Sequence, residues 1–184
     1  MFSRRRGSAA STAAFAVATA VLLTLPAANA TAAHSAAAST ARAGKCATSG
    51  LVVWLDTHGN GAAGSTYYSL EFTNLSGHRC TLFGYPGVSA VDLGGRQLGI
   101  AASRDAHTPS RTVNLAAGKT ASAVLQVTDP GVFPKTSCRP VTAAGLRVYP
   151  PNQTEPRVVP FPFSACSGSG PAYLHVDAVS TPAA

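Results

Sequence analysis

Three Asp/His pairs stand two residues apart: Asp56/His58, Asp105/His107 and His175/Asp177. On a strand, residues i and i+2 share a face, so each pair could present two ligands to one metal ion. Two pairs converging would make a credible site. Single pairs of this kind also arise freely in polar turns, and His58, His107 and His175 are expected on separate loops or faces. Gly59, Gly61 and Gly64 match G-x-G-x-x-G. A dinucleotide site needs a helix to begin in those glycines, because its N-terminus holds the pyrophosphate. Ser65-Thr66-Tyr67-Tyr68 follows instead and reads as a strand, so the glycines read as a hairpin loop. No serine lies in a G-x-S-x-G or S-x-x-K setting. The chain holds 7 acids, and no two stand in a context that suggests glycoside hydrolysis. The residues therefore assign no catalytic, cofactor-binding or metal-ligating group, and the chain reads as a non-enzyme without a cofactor.

Cys46, Cys80, Cys138 and Cys166 are the four cysteines. None is in a C-x-x-C pair, which argues against a zinc knuckle or a thioredoxin-type site. An even count in an oxidising compartment reads as two disulfides, with three connectivities open. The favoured pairing is Cys46–Cys80 with Cys138–Cys166. Each bridge would tie one chain end into the body of a sheet and close a loop worth about 3–4 kcal/mol in the chain-entropy model.

Aromatic residues offer the other candidate chemistry. Trp54 is out of phase with Leu51, Val53 and Leu55. If those three face the core, Trp54 faces outward, or packs beneath a loop, and an exposed indole could stack on a sugar or a partner. Phe133-Pro134, Tyr149-Pro150-Pro151 and Phe161-Pro162-Phe163 invite the same reading. Cys138-Arg139-Pro140 is the one stretch that suggests a disulfide-braced inhibitory loop.

The elements that must position these residues are strands. Residues 51–55, 67–73, 80–83, 88–91, 121–127, 146–149 and 173–177 carry strand signals, with turns such as Asn74-Leu75-Ser76-Gly77 and Tyr85-Pro86-Gly87 between them. With 13 prolines and 17 glycines, long helices are not expected. Many short strands with turn punctuation predict an all-β fold, a single immunoglobulin-like β-sandwich with two disulfides. The Cys46-to-Cys80 gap is too short for the core bridge of a true immunoglobulin domain.

The N-terminal residues read as export machinery. Arg4, Arg5 and Arg6 precede an apolar stretch over residues 13–25, then Pro26 and Ala28-Asn29-Ala30, the grammar of a signal peptide over residues 1–30. The apolar run is shorter than the ~20 residues of a membrane span. Residues 31–44, rich in Ala, Ser and Thr, read as a flexible spacer, and residues 45–180 as the β-sandwich domain. Loss of the three leader arginines lowers the net charge from +7 to +4. The remaining basic residues are spread along the chain, which argues against nucleic acid as a partner. No cysteine follows the apolar run directly, so no membrane anchor is expected after cleavage.

Beyond these patterns, the order of Cys46, Gly64, Tyr67-Tyr68, Leu70-Glu71-Phe72-Thr73-Asn74, Ser76-Gly77-His78-Arg79-Cys80-Thr81-Leu82 and Gly84-Tyr85-Pro86-Gly87-Val88 resembles an actinobacterial exported family, the domain of unknown function 4232. Leu98-Gly99, Leu115-Ala116-Ala117-Gly118, Cys138, Val148-Tyr149-Pro150-Pro151 and Cys166 extend the resemblance over nearly the whole mature chain. Ala117 stands where proline is more usual, and the lipoprotein cysteine of many similar proteins is missing. The resemblance implies an exported β-sandwich and brings no activity with it. The expected function is a secreted, non-catalytic binding or structural module, with an extracellular protein or cell-wall polymer as partner. An inhibitor of an extracellular enzyme is the alternative, and a hydrolase the third class.

Overall fold

A computed structural model describes residues 43–107 and 109–181. The signal peptide and nearly all of the spacer lie outside the described residues. Gly44, placed in the spacer, already belongs to the fold: its carbonyl accepts from Thr81 N at 2.8 Å.

The first two strands, β1 (Leu51–Ala62) and β2 (Ser65–Asn74), form a hairpin in register from Leu51↔Asn74 to Ala62↔Ser65. Ala63 and Gly64 close it with φ of 46° and 77°, the double left-handed geometry of a tight hairpin turn. The G-x-G-x-x-G run is thus strand and turn, with no helix for a phosphate to meet. Further along are β3 (Cys80–Phe83), β4 (Gly87–Val91), β5 (Gln97–Leu98), β6 (Ser103–Arg104), β7 (Thr112–Leu115) and β8 (Thr120–Thr128). A one-turn helix, α1 (Lys135–Cys138), leads into β9 (Pro140–Tyr149), β10 (Arg157–Cys166) and β11 (Leu174–Val176). Among the described residues the strands form sheets ordered β1-β2-β8-β11-β6, β10-β9-β4-β5 and β3-β7. The chain is therefore mostly β, with two disulfides.

Alternation fixes which faces meet. Leu70 and Phe72 on β2, Ala121, Ala123, Leu125 and Val127 on β8, and Leu174 and Val176 on β11 are buried, while their odd-phase neighbours are not. Val88 and Ala90 on β4, Leu146 and Val148 on β9, and Val159 on β10 enter the same apolar cluster. Tyr68 of β2 meets Phe161 of β10 edge to face at 5.0 Å between ring centroids. Each large aliphatic or aromatic side chain so buried contributes about 1.5–3 kcal/mol.

Residues 157–166 carry no strand signal in the sequence because Pro160 and Pro162 remove two ladder donors. The structure makes them the edge strand β10, with a register shift between Pro160 and Phe163. An edge strand tolerates proline because one side of its backbone pairs with nothing. Gly145 of β9 lies opposite that irregularity, where an added Cβ would run into the Val159 carbonyl and come within 3.2 Å of Phe161 N.

The bridges are Cys46–Cys80 and Cys138–Cys166, spanning 34 and 28 residues. The first fastens the start of the domain to β3, beside a hydrogen bond of 2.9 Å from Cys46 N to Thr81 O. The second fastens α1 to the end of β10, where Ser167 N and Gly168 N donate to the carbonyls of Arg139 and Cys138 at 3.1 and 2.8 Å.

Between these ends sits Asn74, fully buried. Its Nδ2 donates to the carbonyls of His78 at 2.8 Å and Leu115 at 3.0 Å. Its Oδ1 accepts from Ser76 N at 3.0 Å and Ser76 Oγ at 2.6 Å. Replacement by Ala strands the buried Leu115 carbonyl and frees the turn that His78 and Ser76 hold, so Asn74→Ala is expected to cost about 2–4 kcal/mol in urea denaturation. Gly145→Ala forces β9 and β10 apart and is expected to cost about 1–3 kcal/mol in the same measurement, without loss of either disulfide.

Candidate functional site

The Asp/His pairs are local devices. Asp56 lies where the β1–β2 register shifts, and its Oδ1 accepts from His58 N at 3.0 Å and meets His58 Nδ1 at 2.8 Å. The backbone hydrogen bond from His58, then the side-chain one, holds the Asp56 carboxyl below its ordinary value. Asp105 repeats the motif, accepting from His107 N at 3.0 Å. In both, the short acid closes a turn on the backbone two residues ahead, and the histidine side chain is 95% exposed. His175 meets the Ala172 carbonyl through Nε2 at 3.1 Å.

One convergence does occur. The parallel pairing of β6 with β11 brings Asp105 beside Asp177, for Asp105 N donates to Val176 O at 2.9 Å. Burial, then the Asp105 charge, pushes the Asp177 carboxyl upward, against a smaller downward pull from His107. Asp56 is far from this group. It faces Ser69, Ser69 faces Val124, and Asp177 N donates to Val124 O, three strand spacings or roughly 14 Å. Among the described residues no three His, Cys, Asp or Glu side chains form a group that could hold a metal ion.

Trp54 takes the outward phase. Leu51 and Leu55 are buried, the indole is 43% exposed, and its Nε1 donates to Thr73 Oγ1 at 3.2 Å. Thr73 Oγ1 in turn meets Thr120 Oγ1 at 3.0 Å, so the ring on β1 is fixed to a pair of hydroxyls that joins β2 to β8. Phe161 and Phe163 stack at 5.2 Å and pack against the core, which makes that Pro-aromatic run an anchor for β10. Phe133 packs against the core as well. Arg139, exposed beside its disulfide, has φ 50° and ψ 74°, a left-handed residue whose carbonyl is held by Ser167. A target that reads a loop as an added extended strand finds no such geometry there.

The Tyr149-Pro150-Pro151 run behaves differently. Its Tyr149 lines a groove of about 490 Å³ together with Phe83, Tyr85, Arg104, Asn152 and Gln153, while both prolines are buried; that volume is within the size range of small-ligand sites. Tyr149 ends β9 opposite Gly87, which places it beside the Tyr85-Pro86-Gly87 turn. The two prolines stop the strand, Gln153 N returns to Pro150 O at 3.0 Å, and Asn152 takes φ 61°. Asn152 Nδ2 then donates to Phe83 O at 3.0 Å, which ties the loop to the end of β3. Across the groove, β6 holds the Arg104 guanidinium 5.7 Å from the Tyr85 ring centroid, a cation–π distance. Phe83 is 50% exposed. A second cavity, of about 510 Å³, lies beside the β1–β2 turn. Its rings, Tyr68 and Phe163, are engaged with Phe161.

Phe83, Tyr85, Arg104, Asn152 and Gln153 were not candidates from sequence. Tyr85 reads as a turn residue, and the two-residue strand that carries Arg104 has no periodicity to detect. The aromatic–proline adjacency at Tyr149 was the one signal.

The charge geometry at Asp177 has a measurable consequence. A carboxyl raised above its unfolded value gives stability that is present below the unfolded value and lost as pH rises through the folded one. Asp177→Asn is therefore expected to raise the melting temperature at pH 7 and to leave it nearly unchanged at pH 3. A gain equal at both pH values would exclude the electrostatic cause.

No curated protein matches the chain. Residues 46–181 match the family model described as Domain of unknown function (DUF4232), and the chain belongs to that family.

Proposed function

We propose that the chain is an exported, non-catalytic binding module of the cell envelope, from an actinobacterial family of such domains. The observation that carries this reading is the groove at Phe83, Tyr85 and Tyr149, where Phe83 is half exposed and the two tyrosines are partly so, on elements held by hydrogen bonds. An aromatic left half in water gives up burial that the fold could have used, and a ligand recovers it. The two disulfides fit an oxidising compartment, and the Arg4-to-Ala30 leader fits delivery there. The five- and four-stranded sheets share one apolar cluster and meet at Tyr68 and Phe161, which supports an immunoglobulin-like sandwich as the scaffold.

Fractionation of the producing cell tests this reading. The mature, oxidised chain is expected outside the cytoplasmic membrane and bound to insoluble wall material. A Phe83→Ser/Tyr149→Ala variant, with both disulfides and an unchanged melting temperature, is expected to lose roughly tenfold of that retention. Undiminished retention would sink the groove as the binding site. A reduced, unprocessed chain in the cytosol would sink export.

A further inference from the structure

The groove's chemistry narrows what it binds, on the premise that it is the binding site of the module. We infer that it takes an anionic saccharide, a sugar unit that carries a carboxylate or phosphate. Three features of the lining converge on that class.

The first is ring surface. Phe83, Tyr85 and Tyr149 come from β3, the β3–β4 turn and β9, so the groove is walled by aromatics from separate elements. The C–H face of a pyranose is apolar enough to lie against such a ring, while its edge hydroxyls stay available for hydrogen bonds. The second is the pair of carboxamides on the Pro150-to-Gln153 loop. Asn152 spends a donor on Phe83 O and Gln153 one on Asn152 O. Each amide keeps a second N–H and an acceptor oxygen, the mixed donor and acceptor set that sugar hydroxyls match. The third is charge. Arg104 brings a permanent cation to the groove, and among the described residues no carboxylate lines it. Among the described residues Arg104 makes no salt bridge. The adjacent Asp105 acts on Asp177 instead. A guanidinium at an aromatic wall keeps its in-plane N–H groups for a carboxylate or phosphate oxygen.

An extended acidic peptide satisfies the charge and fails the geometry. Peptides add to a free sheet edge; β4 and β9 are interior strands, and β6, the end strand that carries Arg104, is only two residues long. The neighbouring β3 has β7 on one side and the Lys45 bridge to Thr81 on the other. The groove thus offers side-chain surface and, at most, the two-residue edge of β6 as a backbone ladder.

The test is calorimetric titration of the oxidised domain with oligogalacturonate, an oligomer of glycerol phosphate bearing sugar substituents, and a neutral galacto-oligosaccharide of equal length. At least one charged oligomer is expected to bind about tenfold or more tightly than the neutral one, with an affinity that falls as salt rises. Which of the two charged oligomers binds more tightly tells carboxylate from phosphate. Arg104→Gln is expected to bring the charged oligomers down to the neutral level, and Phe83→Ser to weaken all three. Equal affinities for charged and neutral oligomers, or an Arg104→Gln variant indistinguishable from the parent, overturns the anionic class. If wall retention still depends on Phe83 and Tyr149, that failure leaves the binding-module reading standing. Retention that ignores the groove, together with no saccharide binding, removes both. Binding of an acidic peptide by a domain that takes none of the oligomers also overturns the inference.

Discussion

A buried carboxamide has to satisfy four hydrogen-bonding positions at once, and at Asn74 the chain meets that demand with two separate segments. Nδ2 reaches the His78 and Leu115 carbonyls, and Oδ1 holds Ser76 through both its amide and its hydroxyl. The Asn74 backbone joins the β7–β8 turn, donating to Lys119 O at 2.9 Å and accepting from Gly118 N at 2.7 Å. Four bonds of about 1 kcal/mol each are modest singly. Their weight lies in the alternative, because Asn74 itself is fully buried and a lost partner leaves one of its polar atoms unpaired. The constraint sets where β2 stops, how the chain turns into β3, and where β7 hands over to β8. Cys80 follows that turn, so the first disulfide closes on a strand already placed by Asn74. Phe83 is three residues further on, and one wall of the groove inherits its position from the same source.

Edges explain the other half of the architecture. β10 lies at the end of its sheet, so Pro160 and Pro162 remove only donors that pairing does not require. The local irregularity brings Phe161 against Tyr68 and Phe163 against Phe161. Proline also discourages another chain from pairing along that exposed edge. At the far end of β10 the second disulfide ties Cys166 to α1, so the strand is held by its side chains, its ladder to β9 and a covalent bond.

How far the sequence reads as structure depends on which interaction sets each element. β2 and β8 alternate cleanly because one face is core and the other solvent, and period-two reading finds them. The outward phase of Trp54 follows from the same argument. That there are two disulfides follows from an even cysteine count read with an expected oxidising compartment. β10 was not legible, since the proline rule speaks against strands until the edge position is known. β5 and β6 have two residues each, too short for any periodicity, and they exist through partners supplied by β4 and β11. The groove was illegible for a related reason. Its residues come from four stretches of chain, and Arg104 reaches Tyr85 only because β6 pairs in parallel with β11, a topological fact that no local pattern encodes.

The Asp/His pairs show the same logic from the opposite direction. A spacing of two puts side chains on one face only while the backbone stays extended and regular. At Asp56 the strand is interrupted by its register shift, and at Asp105 β6 has just ended. In both places a free backbone amide two residues ahead is the nearest donor, and it takes the carboxylate before any distant partner can. The histidine side chains are then left largely in water. Groups that close a turn on themselves stay local. Groups from separate strands, each already satisfied in its backbone, are free to present side chains to one shared space. The groove between β3, β6 and β9 is built from the second kind, and its aromatic and cationic side chains are therefore the ones positioned to meet a ligand.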